Sequence, residues 1–130
     1  YERSGENAAM FLDDKLIETL NVIREQILCA PMTVNNWHAG GNFTQRGLRC
    51  NICELVKNKT DAGKLYLSAH MLGKAVDCNV EGMTAEEARR LIIAKQELLP
   101  YPIRLEDGVS WLHFDLYKNG KNEKVYLFKA

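Results

Sequence analysis

The chain has 130 residues, 46% of them hydrophobic, which suits one domain spanning residues 1–130 around a single core. Its 17 basic residues balance 17 acidic ones, so it lacks the broad positive field of a nucleic-acid binder, and any partner must be recognised by a local site. No apolar run approaches the roughly 20 residues of a membrane-spanning helix, and residues 1–7 hold neither the basic segment nor the apolar core of a signal peptide, so the protein reads as soluble.

From Leu12 to Leu28, apolar residues Leu12, Leu16, Leu20, Ile23 and Ile27 recur at spacings of three and four with acidic and basic residues between them, which predicts one amphipathic helix ended by Pro31. Met32 to Asn36 reads as a short strand entering a polar, glycine-rich loop from His38 to Gly47. Ala75 to Val80 alternates, with Val76, Cys78 and Val80 on one face and Asp77 on the other. Thr84 followed by Glu87 is a capping box, and it predicts a second helix through about Leu98, closed by Pro100. Ile103 to Leu105, Trp111 to Tyr117 and Lys124 to Phe128 read as strands, the last two joined by a hairpin at Asn119-Gly120. The expected fold is therefore α+β: a small antiparallel sheet packed with two main helices.

Four cysteines, Cys29, Cys50, Cys53 and Cys78, leave a disulfide open. Cys50 and Cys53 form a Cys-x-x-Cys pair, but a structural zinc site needs four ligands and no second pair exists, so packed or exposed thiols are expected.

Histidines are few, and two of the three stand in contexts suited to a metal. His70 precedes Asp77 by seven residues, with Gly73 between them. In a straight helix that interval would rise about 10 Å and in a strand more than twice that, so the two can share an ion only if the chain folds back. Gly73 is where it can bend. In Trp111-Leu112-His113-Phe114-Asp115-Leu116, alternation buries Leu112, Phe114 and Leu116 and turns Trp111, His113 and Asp115 to the opposite face. Two imidazoles and one carboxylate make a three-ligand zinc set whose fourth position is left to water, the mark of a catalytic site. Asp115 reads as a carboxylate supporting the ligands or facing solvent rather than as a fourth ligand.

The pattern Ser-x-His-x-x-Gly-x-Ala-x-Asp at Ser68 to Asp77, followed some 35 residues later by Trp-x-His-x-Asp at Trp111 to Asp115, resembles the zinc peptidases that include D-alanyl-D-alanine carboxypeptidases and dipeptidases and phage L-alanyl-D-glutamate endolysins, whose zinc fold is shared with the hedgehog signalling domain. The resemblance runs from about Met32 to Asp115. It implies one zinc ion on His70, Asp77 and His113, a hedgehog-like fold, and hydrolysis of peptidoglycan stem peptides or cross-links; a monomer is expected. A periplasmic or secreted bacterial protein and a phage lytic enzyme both suit it. The base is where the chain departs from part of that family: Ser110 stands where a carboxylate precedes the last histidine by three residues. Asp107, with the spacing of a hedgehog-type acid, is the first candidate for the base, and Glu106 the second. Arg49, then Arg46, stands where related peptidases carry an arginine able to hold a substrate carboxylate, with Ser68 and Trp111 flanking the ligands. His38 reads as a plain loop histidine. The alternative is a non-catalytic hedgehog-like module that keeps zinc as a structural clip and binds peptide or cell-wall ligands.

Overall fold

The computed structural model describes residues 5–36, 39–43, 46–118 and 120–129. A 3-10 helix, Gly5–Phe11, leads into α1, Asp14–Val22, whose first turn is capped by the Asp13 carboxylate accepting from the Lys15 amide at 2.9 Å. The expected single helix continues as π-helical turns, Ile23–Leu28, and closes at Cys29 in the left-handed conformation. There follow β1, Met32–Thr33, then α2, Glu54–Asp61, and β2, Ala75–Val80. Thr84 caps α3, Ala85–Ala94, by the reciprocal bonds with Glu87 that the sequence predicts, and a 3-10 turn, Gln96–Leu98, completes it. The chain ends in β3, Ile103–Glu106, β4, Leu112–Asp115, and β5, Val125–Phe128.

Among the described residues the domain is α+β, with three α-helices rather than two and a sheet that is mixed rather than antiparallel. The sheet runs β1-β2-β4-β3-β5, and every pairing is antiparallel except β3 with β5. The expected hairpin of the last two strands does not form. Both edges of β4 are already taken, by β2 and β3, so the returning chain lands one place further out, on the free edge of β3, and runs parallel to it. Gly120 has φ +71°, as a reversal requires, while Asn119 lies outside the described residues. β1 is shorter than the expected strand to Asn36, and β4 shorter than Trp111 to Tyr117.

Strand alternation sorts the sheet into two faces. Val76, Cys78, Val80, Ile103, Leu105, Leu112 and Phe114 face the helices and form the core with Leu16, Ile23, Ile27, Ala88 and Ile92. The opposite face carries Asp77, Arg104, Glu106, His113 and Asp115, of which Asp77, His113 and Asp115 are buried. Among the described residues, no helix is long and apolar enough to cross a membrane.

Candidate metal centre

The antiparallel register of β2 and β4 sets Asp77 directly opposite His113, so two of the three expected ligands face each other across one ladder step. His70 arrives from the turn before β2. The Lys74 amide donates to the Ala69 carbonyl at 2.8 Å and the Gly73 amide to the His70 carbonyl at 3.3 Å, the paired bonds of a Schellman closure with Gly73 in its left-handed position at φ +65°. A Cβ on Gly73 would also run into the backbone of Phe11, and two residues further on the Asp13 amide donates to the Gly73 carbonyl at 3.0 Å. Glycine is thus required both by the bend and by close packing.

His70, Asp77 and His113 are all buried, and one ligand atom from each can be chosen so that all lie within 4.8 Å of one another. Among the described residues this is the group of three that can hold a metal ion. His70 Nε2 is 3.3 Å from Asp77 Oδ2. Bonds of about 2.0–2.2 Å at tetrahedral angles put neighbouring ligand atoms roughly 3.3–3.6 Å apart, so this edge already has the needed length. His113 Nδ1 lies 2.7 Å from Asp77 Oδ1, closer than two ligands of one ion would sit, and a metal there must open that pair by a fraction of an ångström.

What suits the pair of imidazoles to a cation is the treatment of their other nitrogens. His70 Nδ1 lies 2.9 Å from the Gly47 carbonyl, and His113 Nε2 lies 3.3 Å from Asp115 Oδ2. In each ring an oxygen holds one N–H and leaves the second nitrogen for the site. Asp115, 1% exposed, is itself fixed by a bidentate pair with Arg104 at 2.7 and 2.8 Å and by the Tyr117 amide at 2.8 Å. Burial opposes charge at all three groups. At His113, the hydrogen bonds its ring donates to Asp115 and Asp77 outweigh it and push the pKa up to about 9. At Asp77, hydrogen bonds with His113 and His70 outweigh it and hold the carboxyl well below its usual range. At Asp115, bonds with His113 and Arg104 do the same.

The two candidate bases lie in different surroundings. Arg104 and Glu106 alternate with the core residues Ile103 and Leu105, so Glu106 shares the ligand face, and its Oε2 lies 4.0 Å from His113 Nδ1. Asp107, first by spacing, is one residue past the strand. Its carboxylate is 38% exposed and 3.8 Å from Lys129 Nζ. Ser110 is exposed. Arg49 Nη2 reaches within 3.9 Å of Asp77 Oδ2, and the Arg49 amide donates to the His70 carbonyl at 3.3 Å. Arg46 stacks its guanidinium 3.8 Å above Phe43. Arg46 Nη1 and Arg49 Nε are buried without a hydrogen-bond partner. Ser68 serves the turn, its hydroxyl accepting from the Met71 amide at 3.4 Å. Half-buried Trp111 helps line a cleft of about 410 Å³ with Asn79, Glu86, Arg89 and Ser110. His38 lies outside the described residues, and all four cysteines are free.

No family model matches the sequence, and no curated protein or solved structure matches it either.

Proposed function

We propose that the protein is a zinc-dependent peptidase acting on D-amino-acid-containing peptides of bacterial cell wall, with a hedgehog-like arrangement of its zinc site. The observation that carries the reading is the convergence of His70, Asp77 and His113, with the far nitrogen of each imidazole anchored on an oxygen. Two imidazoles and one carboxylate suit zinc, and three protein ligands leave a position for water or substrate. When bound, zinc supplies Lewis acidity, polarising a carbonyl and acidifying water. The sequence resemblance to D-alanyl-D-alanine peptidases and endolysins supports the substrate class.

The chain's own residues supply the rest. Glu106 is mostly sheltered, on the ligand face and close to His113, so it is the group placed to take a proton from the attacking water and return it to the leaving amine. Arg49, whose Nη2 lies 3.9 Å from Asp77 Oδ2, and Arg46 each carry one buried guanidinium nitrogen without a partner. Buried donors of this kind favour an anion, either a substrate carboxylate or the oxygen that gains charge during attack.

The test is to strip the protein with chelator, restore zinc, and incubate each form with stem peptides ending in D-alanyl-D-alanine and with cross-linked fragments, following products by mass spectrometry. The expected result is release of an amino acid or a stem peptide by the zinc form alone. Intact substrates after prolonged incubation with the zinc-loaded protein would refute the reading.

A further inference from the structure

Between β3 and β4 the chain crosses from Glu106, the proposed base, to Trp111, just before the ligand strand. One side chain spans this connection. Arg89 projects from α3 and is only 4% exposed. Its Nη1 donates to the Glu106 and Trp111 carbonyls, each at 3.3 Å, and its Nη2 to the Val109 carbonyl at 3.1 Å, while Nε meets Glu86 Oε2 at 3.2 Å.

The neighbouring inward positions of α3 are apolar, Ala88 and Ile92, and an apolar residue would fill the Arg89 position without a buried charge. A guanidinium brings what no apolar side chain can: a rigid planar fork that satisfies several carbonyls at once. By bonding the first and last carbonyls of the connection from a single nitrogen, Arg89 fixes how far the end of β3 lies from the start of β4. Glu106 and His113 project from those two strand ends, their side chains 4.0 Å apart.

We propose that Arg89 is a positioning residue for this site, setting the placement of the Glu106 carboxylate against the ligands by clamping the β3–β4 connection. The proposal rests on the reading of Glu106 given above. A displacement of about 1 Å at a reacting group is enough to cost on the order of 100-fold in rate, so a loosened clamp registers in catalysis before it registers in binding.

Arg89→Lys and Arg89→Met test it. Lysine keeps the charge and stem but concentrates its donors at one point, so it cannot span the carbonyls. In both variants kcat on a stem peptide is expected to fall about 10–100-fold, with KM nearly unchanged and one zinc still bound, and the lysine form is expected to retain more activity than the methionine form. The Asp107 amide, which donates to the Phe128 carbonyl at 2.7 Å, is expected to exchange its hydrogen faster while amides of β2 do not. Unchanged kcat in folded Arg89→Lys overturns the proposal, as does a loss that falls on KM or on zinc content. If the wild type hydrolyses nothing, the peptidase reading fails by itself, and the exchange experiment still decides the clamp: equal rates at Asp107 in wild type and Arg89→Lys refute it.

Discussion

Asp115→Asn separates stability from metal binding at the same residue. Both oxygens of Asp115 accept from Arg104, and each has a second donor, the Tyr117 amide at Oδ1 and His113 at Oδ2. Whichever way the asparagine amide turns, its NH2 confronts donors, and the Arg104 guanidinium loses its counter-charge. Removing one partner of a buried pair costs about 3–5 kcal/mol. Arg104 keeps 23% of its side chain exposed, and water relieves part of that, so about 2–4 kcal/mol is expected. For a chain of 130 residues each kcal/mol moves the melting temperature by about 3–4 °C, giving a drop of roughly 6–16 °C in chelator-treated protein by calorimetry. Zinc affinity, measured by competition with a chromophoric chelator, is expected to weaken about 10–100-fold, because His113 loses the oxygen that fixes its ring. Adding Arg104→Met removes the stranded cation and is expected to restore much of the stability but none of the affinity. Melting within about 2 °C of wild type, or recovery of zinc affinity in the double variant, would refute the reasoning.

Glu106→Gln is expected to bind zinc normally and to lose about 10²–10⁴-fold in kcat, whereas Asp107→Asn, which alters a carboxylate facing Lys129, is expected to leave kcat nearly unchanged; steady-state kinetics checks both. Gly73→Ala forces a left-handed φ of +65° on a residue with a Cβ, at about 1–3 kcal/mol before the clash with Phe11 is added, and urea titration is expected to show at least that loss. Stability without metal should depend on pH in a definite direction. His113 has its pKa raised from 6.5 to about 9, so its contribution is complete below 6.5 and is lost as pH rises through 9. Asp77 has its pKa lowered from 3.8, so its contribution is complete above 3.8 and is lost as acid takes the pH below that value. Chelator-treated protein is therefore expected to be most stable between these limits, and a free energy of unfolding that rises from pH 6 to pH 9 would contradict it.

The elements that sequence reveals here are those whose burial is periodic. Val76, Cys78 and Val80, or Ile103 and Leu105, leave a two-residue rhythm because one face of each strand meets the helices. The same rhythm brought Asp77 and His113 to one face, and Gly73 supplied the bend for His70. α2 left no such trace: its sequence ELVKNKTD buries only Val56, so there is no apolar stripe to read. The partner of β5 was hidden for another reason, since Asn119-Gly120 signals a reversal and says nothing about which strand edge is free. Spacing favours Asp107 over Glu106, whereas alternation from Ile103 and Leu105 turns Glu106 and Arg104 to the face that carries Asp77 and His113. Arg89 is invisible by periodicity because it occupies an inward helical position while its bonds go to backbone carbonyls some 20 residues away.

X-ray absorption at the zinc edge, on protein loaded with one equivalent, tests the metal centre most directly. The expected spectrum has a nitrogen and oxygen shell at about 2.0–2.2 Å with the outer-shell pattern of two imidazoles, lost in both His70→Ala and His113→Ala. Sulfur at about 2.3 Å would place the ion on Cys50 and Cys53 instead, and that spectrum, or failure to bind one equivalent at all, would contradict the account.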